Sequence, residues 1–198
     1  MNLRFRRSLA LTSPLALVLA FVVAGCGDGD GEGSAETAAQ TSADAEFAAE
    51  AKAATNRLQI ELKKELSAAM KEGGPVAAIE VCHTRAPEIA REVGTETELS
   101  VGRVSRNNRN PDNAASEAEA AVLAEFEARP AMQDTVVAHD GQRTYMRAIR
   151  IGAPLCLNCH GSESKLEPQL KDRLAELYPQ DRATGFEAGD LRGAFVVR

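Results

Sequence analysis

Thr135-Val136-Val137-Ala138-His139-Asp140-Gly141-Gln142-Arg143-Thr144-Tyr145-Met146-Arg147-Ala148-Ile149-Arg150-Ile151 is the stretch on which the fold turns. Asp140-Gly141 accepts the positive dihedrals of a tight hairpin turn, and β-branched and aromatic residues fill both flanks. The reading predicts two antiparallel strands over 135–139 and 142–151. A hairpin commits at least part of the sheet to antiparallel pairing.

Working outward, Phe47, Ala51, Ala54, Leu58, Leu62, Leu66 and Met70 recur at steps of three and four. They describe one face of a long helix. Gly73-Gly74 stops it, and Pro75 opens a second helix, since a first turn does not need the missing N–H. The second helix carries Ile79, Cys82, Ala86, Ile89 and Val93 on one face, and Pro87 should kink or divide it. Residues 99–105 read as a short strand, followed by a turn-rich segment over 106–113. Ser116 and Glu119 have capping-box spacing for a helix running to about Ala128, with Pro130 beyond. Leu166, Leu170, Leu174 and Leu177 mark another amphipathic helix, and 191–197 a closing strand. The expectation is one α+β domain over 45–198, an antiparallel sheet flanked by helices with a long N-terminal helix, not a doubly wound fold.

The first 25 residues read as a signal peptide: Arg4, Arg6 and Arg7 precede an apolar stretch over 9–23 that is too short for a membrane span. The stretch ends in Val23-Ala24-Gly25-Cys26, which resembles a bacterial lipobox and implies cleavage before Cys26 and lipid on that residue. Several acyl chains on one residue exceed what stable anchoring needs. Gly27, rather than Asp, follows Cys26, which by the same resemblance favours the outer membrane. Residues 26–44 are rich in Gly, Asp, Glu, Ser, Thr and Ala without an apolar period, the composition of a flexible tether. The net charge is −6, and losing three arginines and no acid with the signal makes it −9. No basic run lies in the body of the chain, so nucleic-acid binding has no electrostatic support.

Cys156-Leu157-Asn158-Cys159-His160 has the attachment signature of c-type haem. Two thiols three positions apart can each add to one vinyl group of a porphyrin, and the adjacent imidazole then lies below the iron. Composition alone would produce the pattern about once in a thousand such chains. A thioredoxin-like pair would need a βαβ context, and a zinc site two more ligands at matching spacing; neither is visible. One covalent haem, with His160 as proximal ligand, is the expectation. Aromatic content of 4% and no tryptophan suit a core whose large flat group comes from outside the chain. With Cys26 lipidated and Cys156 and Cys159 as thioethers, Cys82 is left over. It is either a small buried side chain or a sixth iron ligand, with His83, His139, Met70, Met132 and Met146 as rivals. His83 lies about 100° around the helix from Cys82. Arg103, Arg106 and Arg109 are candidate contacts for haem propionates, against the reading of a solvated basic loop. Tyr145 and Met146, with Arg147, are candidate pocket residues.

Several motifs together carry a resemblance: Ala78-Ile79-Glu80-Val81-Cys82 with Ala86-Pro87-Glu88-Ile89-Ala90, Val101-Gly102-Arg103-Val104-Ser105 with Arg109-Asn110-Pro111, Cys156 to Gly161, and the ten residues from Gly185 to Ala194. The chain resembles, over roughly residues 45 to 198, a bacterial family of small PAS-like c-type haem domains, formerly a domain of unknown function. Its members occur alone or as the extracytoplasmic sensory part of membrane histidine kinases. The resemblance implies a PAS-like fold and an axial thiolate from the position of Cys82. His83, directly after it, departs from the pattern and offers imidazole instead.

A thiolate stabilises ferric iron, so the expected potential is low. Two filled axial sites argue against an enzyme. The expected role is a periplasmic, lipid-anchored cytochrome-like protein in low-potential electron transfer or redox sensing, with a redox or signalling protein partner. The alternative is a haem-based sensor of a small ligand, and a peroxide-consuming enzyme comes a distant third. The long first helix could pair with a second copy to form a homodimer, or be covered by its own domain.

Overall fold

The computed structural model describes residues 31–139, 141–152 and 154–198, with the backbone alone over 31–39. The expected signal peptide and the expected lipidation site at Cys26 lie outside the described residues. Helix α1 (Gly31–Glu80) is two helices joined at Gly73 and Gly74, where Gly74 takes a φ of +67° that a side chain would resist. It begins inside the stretch expected as a tether, so 31–44 is helical. Alanine at 35, 38, 39 and 43 supplies the propensity that a reading for apolar period overlooks. No helix among the described residues is long and apolar enough to cross a membrane.

A π-helical turn, Val81–Arg85, follows, and then α2 (Ala86–Thr97) with Pro87 in its first turn. Proline has no N–H and its ring crowds the carbonyl four residues back, so the ladder widens just ahead of it. The Ala86 N–H accordingly donates to the Val81 carbonyl, five residues back. Pro87 thus divides the second helix as its sequence position predicts.

Four strands form one antiparallel sheet: β1 (Val101–Val104), β2 (Asp134–His139), β3 (Gln142–Arg150) and β4 (Leu191–Val197), in the order β1-β4-β3-β2. The hairpin pairs His139 with Gln142, and Gly141 sits at φ +76°. Between β1 and β2 comes α3 (Glu117–Ala128), closed at its start by the capping box of Ser116 and Glu119. After β3 come α4 (Pro154–His160) and α5 (Pro168–Leu177). This is the expected α+β arrangement, with the helices outside an antiparallel sheet.

Each sheet face has its own core. On one, Ala54, Leu58 and Leu62 of α1 meet Ala86, Ile89 and Val93 of α2 and Phe195 of β4. On the other, Val122, Leu123 and Phe126 of α3 meet Val104, Met146, Ala194 and Val196. Strand β4 is therefore covered on both faces, which is why 193–197 are all buried. A third cluster joins Ile79 to Leu166, Leu170, Leu174 and Tyr178, with Cys82 and Cys159 packed against it. The apolar face of α1 over 51–62 is thus covered by its own domain. Ile60, on the opposite side, is exposed.

Candidate cofactor site

A cavity of about 530 Å³ lies beyond one end of the sheet, where β1 and β3 finish and β4 begins. Leu62, Leu66 and Met70 of α1 give it an apolar wall, joined by Ile149, Leu155 and Phe195. Cys82 enters from the π-helical turn. Arg103 and Arg192 enter from the ends of β1 and β4, and Cys156, Cys159 and His160 from α4. The volume falls in the range of cofactor sites. Among the described residues no three His, Cys, Asp or Glu side chains converge on one ion-sized point. Instead the cysteines and the histidine stand around the wall of a larger space.

Helix α4 is short, and its hold comes from elsewhere. The Gly161 N–H closes its last turn on the Leu157 carbonyl at 3.0 Å. A Cβ at Gly161 would stand 2.6 Å from that oxygen, so the close approach requires glycine. The loop ahead of β4 then clamps the end of the helix. The Gly185 N–H donates to the Gly161 carbonyl at 2.8 Å and the Phe186 N–H to the His160 carbonyl at 2.9 Å. Arg109 donates from Nη2 to the Cys159 carbonyl at 2.7 Å and to the Ala183 carbonyl at 3.4 Å, and from Nε to Asp181 at 2.9 Å. Arg109 is buried and Asp181 largely so. Asp181 in turn accepts from the Ala183 N–H at 2.8 Å.

The same Ala183 carbonyl, 2.7 Å away, orients His160. A carbonyl only accepts, so Nδ1 carries the proton and Nε2 of the neutral ring keeps its lone pair. A second partner of this kind fixes the tautomer of metal-binding histidines. Burial holds the His160 imidazole well below its usual range, and Arg192 and Arg109 push the same way, so the ring stays neutral. Phe186 packs edge-on to it with ring centroids 6.3 Å apart. The guanidinium of Arg192 lies 5.5 Å from the centroid of Phe186.

Burial pushes the Cys82 thiol up, while Arg103, Arg109 and Arg192 pull it back toward thiolate. Burial likewise pushes Cys159 up to about 11. Of the rival ligands, Met70 alone also faces the cavity. His83 is exposed, its ring edge against Tyr178 at 5.5 Å. His139 is exposed at the hairpin. Met132 and Met146 belong to the core on the α3 side.

The structure brings Cys82, Arg103, Arg109, Cys156, Cys159 and His160 to one cavity and leaves four predicted residues elsewhere. Arg106 is exposed and pairs with Glu127 on α3, because the chain has already left the sheet there. Tyr145 is buried under α1 with Ala51 and Val197, its hydroxyl donating to Asp134 at 3.1 Å. Met146 points to the other face by strand alternation and packs on Phe126 and its neighbours. Both stand too far up β3 to reach the cavity at its end. Arg147 bonds Asn56 and Gln59 on α1 and is also outside the cavity wall. Arg109 lines the cavity but is spent on Asp181 and the carbonyls of Cys159 and Ala183, a structural task that its loop position did not suggest.

Arg192 was not anticipated. Ile149 pairs with Gly193 and Arg150 with Leu191, so Arg192 is the extra residue of a β-bulge. Gly193 makes this possible, since a Cβ there would stand 2.4 Å from the Val104 carbonyl oxygen. The only trace in the sequence is a glycine directly after an arginine inside a strand.

Fold and site together define a small α+β domain built around a cavity lined by cysteine, histidine and arginine. The chain belongs to the Tll0287-like family, whose model matches residues 32–198. Among solved structures it is similar to the cyanobacterial haem protein Tll0287, at 30% identity and a TM-score of 0.50, over 57% of this chain and 68% of that one. Comparison with curated proteins gave no match.

Proposed function

We propose that the cavity holds one covalently attached c-type haem, bound through Cys156 and Cys159, with His160 as one axial ligand and Cys82 as the other. The observation that carries this reading is the setting of His160. Its Nδ1–H is tied to the Ala183 carbonyl, and Nε2 is left for iron at a wall it shares with both cysteines of the motif. The rest of the wall suits the same group. Apolar side chains would cover a macrocycle, and a second sulfur stands on a different element. A family relationship to a haem protein supports the assignment.

The bound group would supply one-electron chemistry. The chain's own residues fix the ligands, exclude water with the apolar wall, and set charge around the iron. A Cys82 thiolate favours the ferric state, and the nearby arginines partly oppose it. With both axial positions filled by the chain, the role is low-potential electron transfer or redox sensing rather than catalysis. We place the protein in the periplasm, lipid-anchored through Cys26 and serving a redox or signalling partner.

A sensing role would act through the Cys82 sulfur, which a π-helical turn, a form of helix that recurs at functional sites, carries to the cavity wall.

The test is mass spectrometry of denatured protein from a host competent in cytochrome maturation. A haem-sized increment is expected, lost in the Cys156→Ala, Cys159→Ala double variant. Its absence from the wild-type protein would end the proposal. Carbon monoxide added to the reduced protein separates the two roles: rapid binding indicates a sensor, and an unchanged spectrum a closed carrier.

A further inference from the structure

Five basic residues line the cavity: Lys63, Arg103, Arg109, Arg150 and Arg192. No aspartate or glutamate joins them among the described residues, in a chain where acids outnumber bases 29 to 23. The imbalance is local, and four of the five are buried or partly buried, where unmatched charge is costly.

Three of the five are accounted for. Arg109 is neutralised by Asp181. Arg150 has no carboxylate partner among the described residues and its Nε is buried without a hydrogen-bond partner, but its Nη1 and Nη2 are turned away from the cavity wall onto the carbonyls of Gly189 and Phe126. Lys63 is exposed and solvated. Arg103 and Arg192 remain. Both are partly buried, and neither has a carboxylate partner among the described residues. Arg192 donates to Ser105 Oγ and to the Asn107 carbonyl, each at 3.0 Å, and both acceptors are neutral. Burial, with Arg109 and Arg103 beside it, pulls Arg192 down to about 10. Burial also lowers Arg103. Two cations thus meet at the same end of the sheet, Arg103 from the regular pairing of β1 and Arg192 from the bulge in β4.

We propose that Arg103 and Arg192 form a dicarboxylate subsite that takes the two propionate groups of the haem, an inference that rests on the haem reading above. Two guanidinium forks match two carboxylates in charge and in bidentate geometry. The subsite fixes which edge of the porphyrin faces β1 and β4. It also replaces Arg106 and Arg109, the partners that the loop sequence suggested, with residues from the strand ends.

The experiment uses haem-loaded full-length protein made from 5-aminolevulinate carrying ¹³C at the carbons that become propionate carboxylates. Redox-difference infrared spectra then report the propionates by isotope shift. In Arg103→Gln and in Arg192→Gln the labelled carboxylate bands are expected to move, with a fall in midpoint potential. Arg106→Gln should leave both unchanged. Where a Gln variant fails to mature, Arg103→Lys and Arg192→Lys keep the charge and lose the fork, and a band shift is still expected. Labelled bands that match wild type in all four variants would overturn the subsite while leaving the haem in place. Wild-type protein without haem would fail the underlying reading instead, and the mass spectrum shows that before any infrared measurement.

Discussion

His160 and Cys82 owe their chemistry to neighbours that the motif does not contain. The imidazole is oriented by the carbonyl of Ala183, which is in turn fixed by Asp181 and Arg109. Removing Arg109 leaves a buried carboxylate without its partner, a loss of about 3–5 kcal/mol for such pairs. Arg109→Met is therefore expected to lower the urea midpoint by a corresponding amount, and to broaden the histidine–iron signature in resonance Raman spectra as His160 loses its support. At Cys82 the expected outcome is opposite in kind. Cys82→Ser removes the soft anionic donor with little change in volume, so the ferric optical and electron-spin spectra should change and the midpoint potential should rise in a redox titration. An unaltered ferric spectrum would remove Cys82 as a ligand.

Short elements here are held by bonds across the fold rather than by their own length. Helix α4 has seven residues, too few to persist alone, and is clamped by the Gly185 and Phe186 amides and by Arg109. The bulge in β4 depends on Gly193 passing close to β1. Gly193→Ala must push the Val104 carbonyl aside, and overpacking of that order costs about 1–3 kcal/mol. Its effect should appear both as a lower thermal midpoint and as a displaced Arg192. At α3 the Ser116 hydroxyl accepts from the Glu119 N–H at 3.3 Å, and a Glu119 carboxylate oxygen accepts from the Ser116 N–H at 2.8 Å. Glu119 also accepts from Arg198, which ties the last residue to this helix. Ser116→Ala should cost about 1 kcal/mol by chemical denaturation.

The whole molecule is a sheet with a core on each face and a cavity at one end, and ion pairs stitch the helices around it. Glu65 on α1 bonds Arg85 in the π-helical turn, and Glu80 bonds Arg173 on α5. Those hydrogen bonds hold both carboxyls below their ordinary value of 4.5. A carboxyl lowered in the folded state stabilises it above the unfolded value, and the contribution is lost as pH falls through the native one. Stability should accordingly decline on acidification below about pH 4.5, and the Glu65→Gln, Glu80→Gln double variant should show a shallower decline in denaturation midpoints measured across that range. The effect should be small, because these carboxylates are partly exposed and screened.

Local chemistry alone determined much of this protein. The hairpin between His139 and Gln142, the capping box at Ser116, the apolar stripe of α1 and the Cys-x-x-Cys-His motif at 156–160 are written in neighbouring residues, where periodicity and turn chemistry act directly. Cys82 was singled out as a leftover thiol on an apolar face, but residue chemistry could not choose between packing and ligation. The break at Pro87 was legible but not its π form, since how the ladder relaxes ahead of a proline depends on how the helices on either side are packed. Tyr145 and Met146 were named as pocket residues, yet neighbours on a strand face opposite sides of the sheet, and how far along the strand the cavity lies is not written locally. The choice among the arginines was tertiary throughout. Arg106, Arg109 and Arg192 look alike as residues. One pairs with Glu127 at the surface, one braced α4 and one was aimed into the cavity, because a bulge, a largely buried aspartate and the end of a strand met there only after residues 72 to 87 positions apart were packed together.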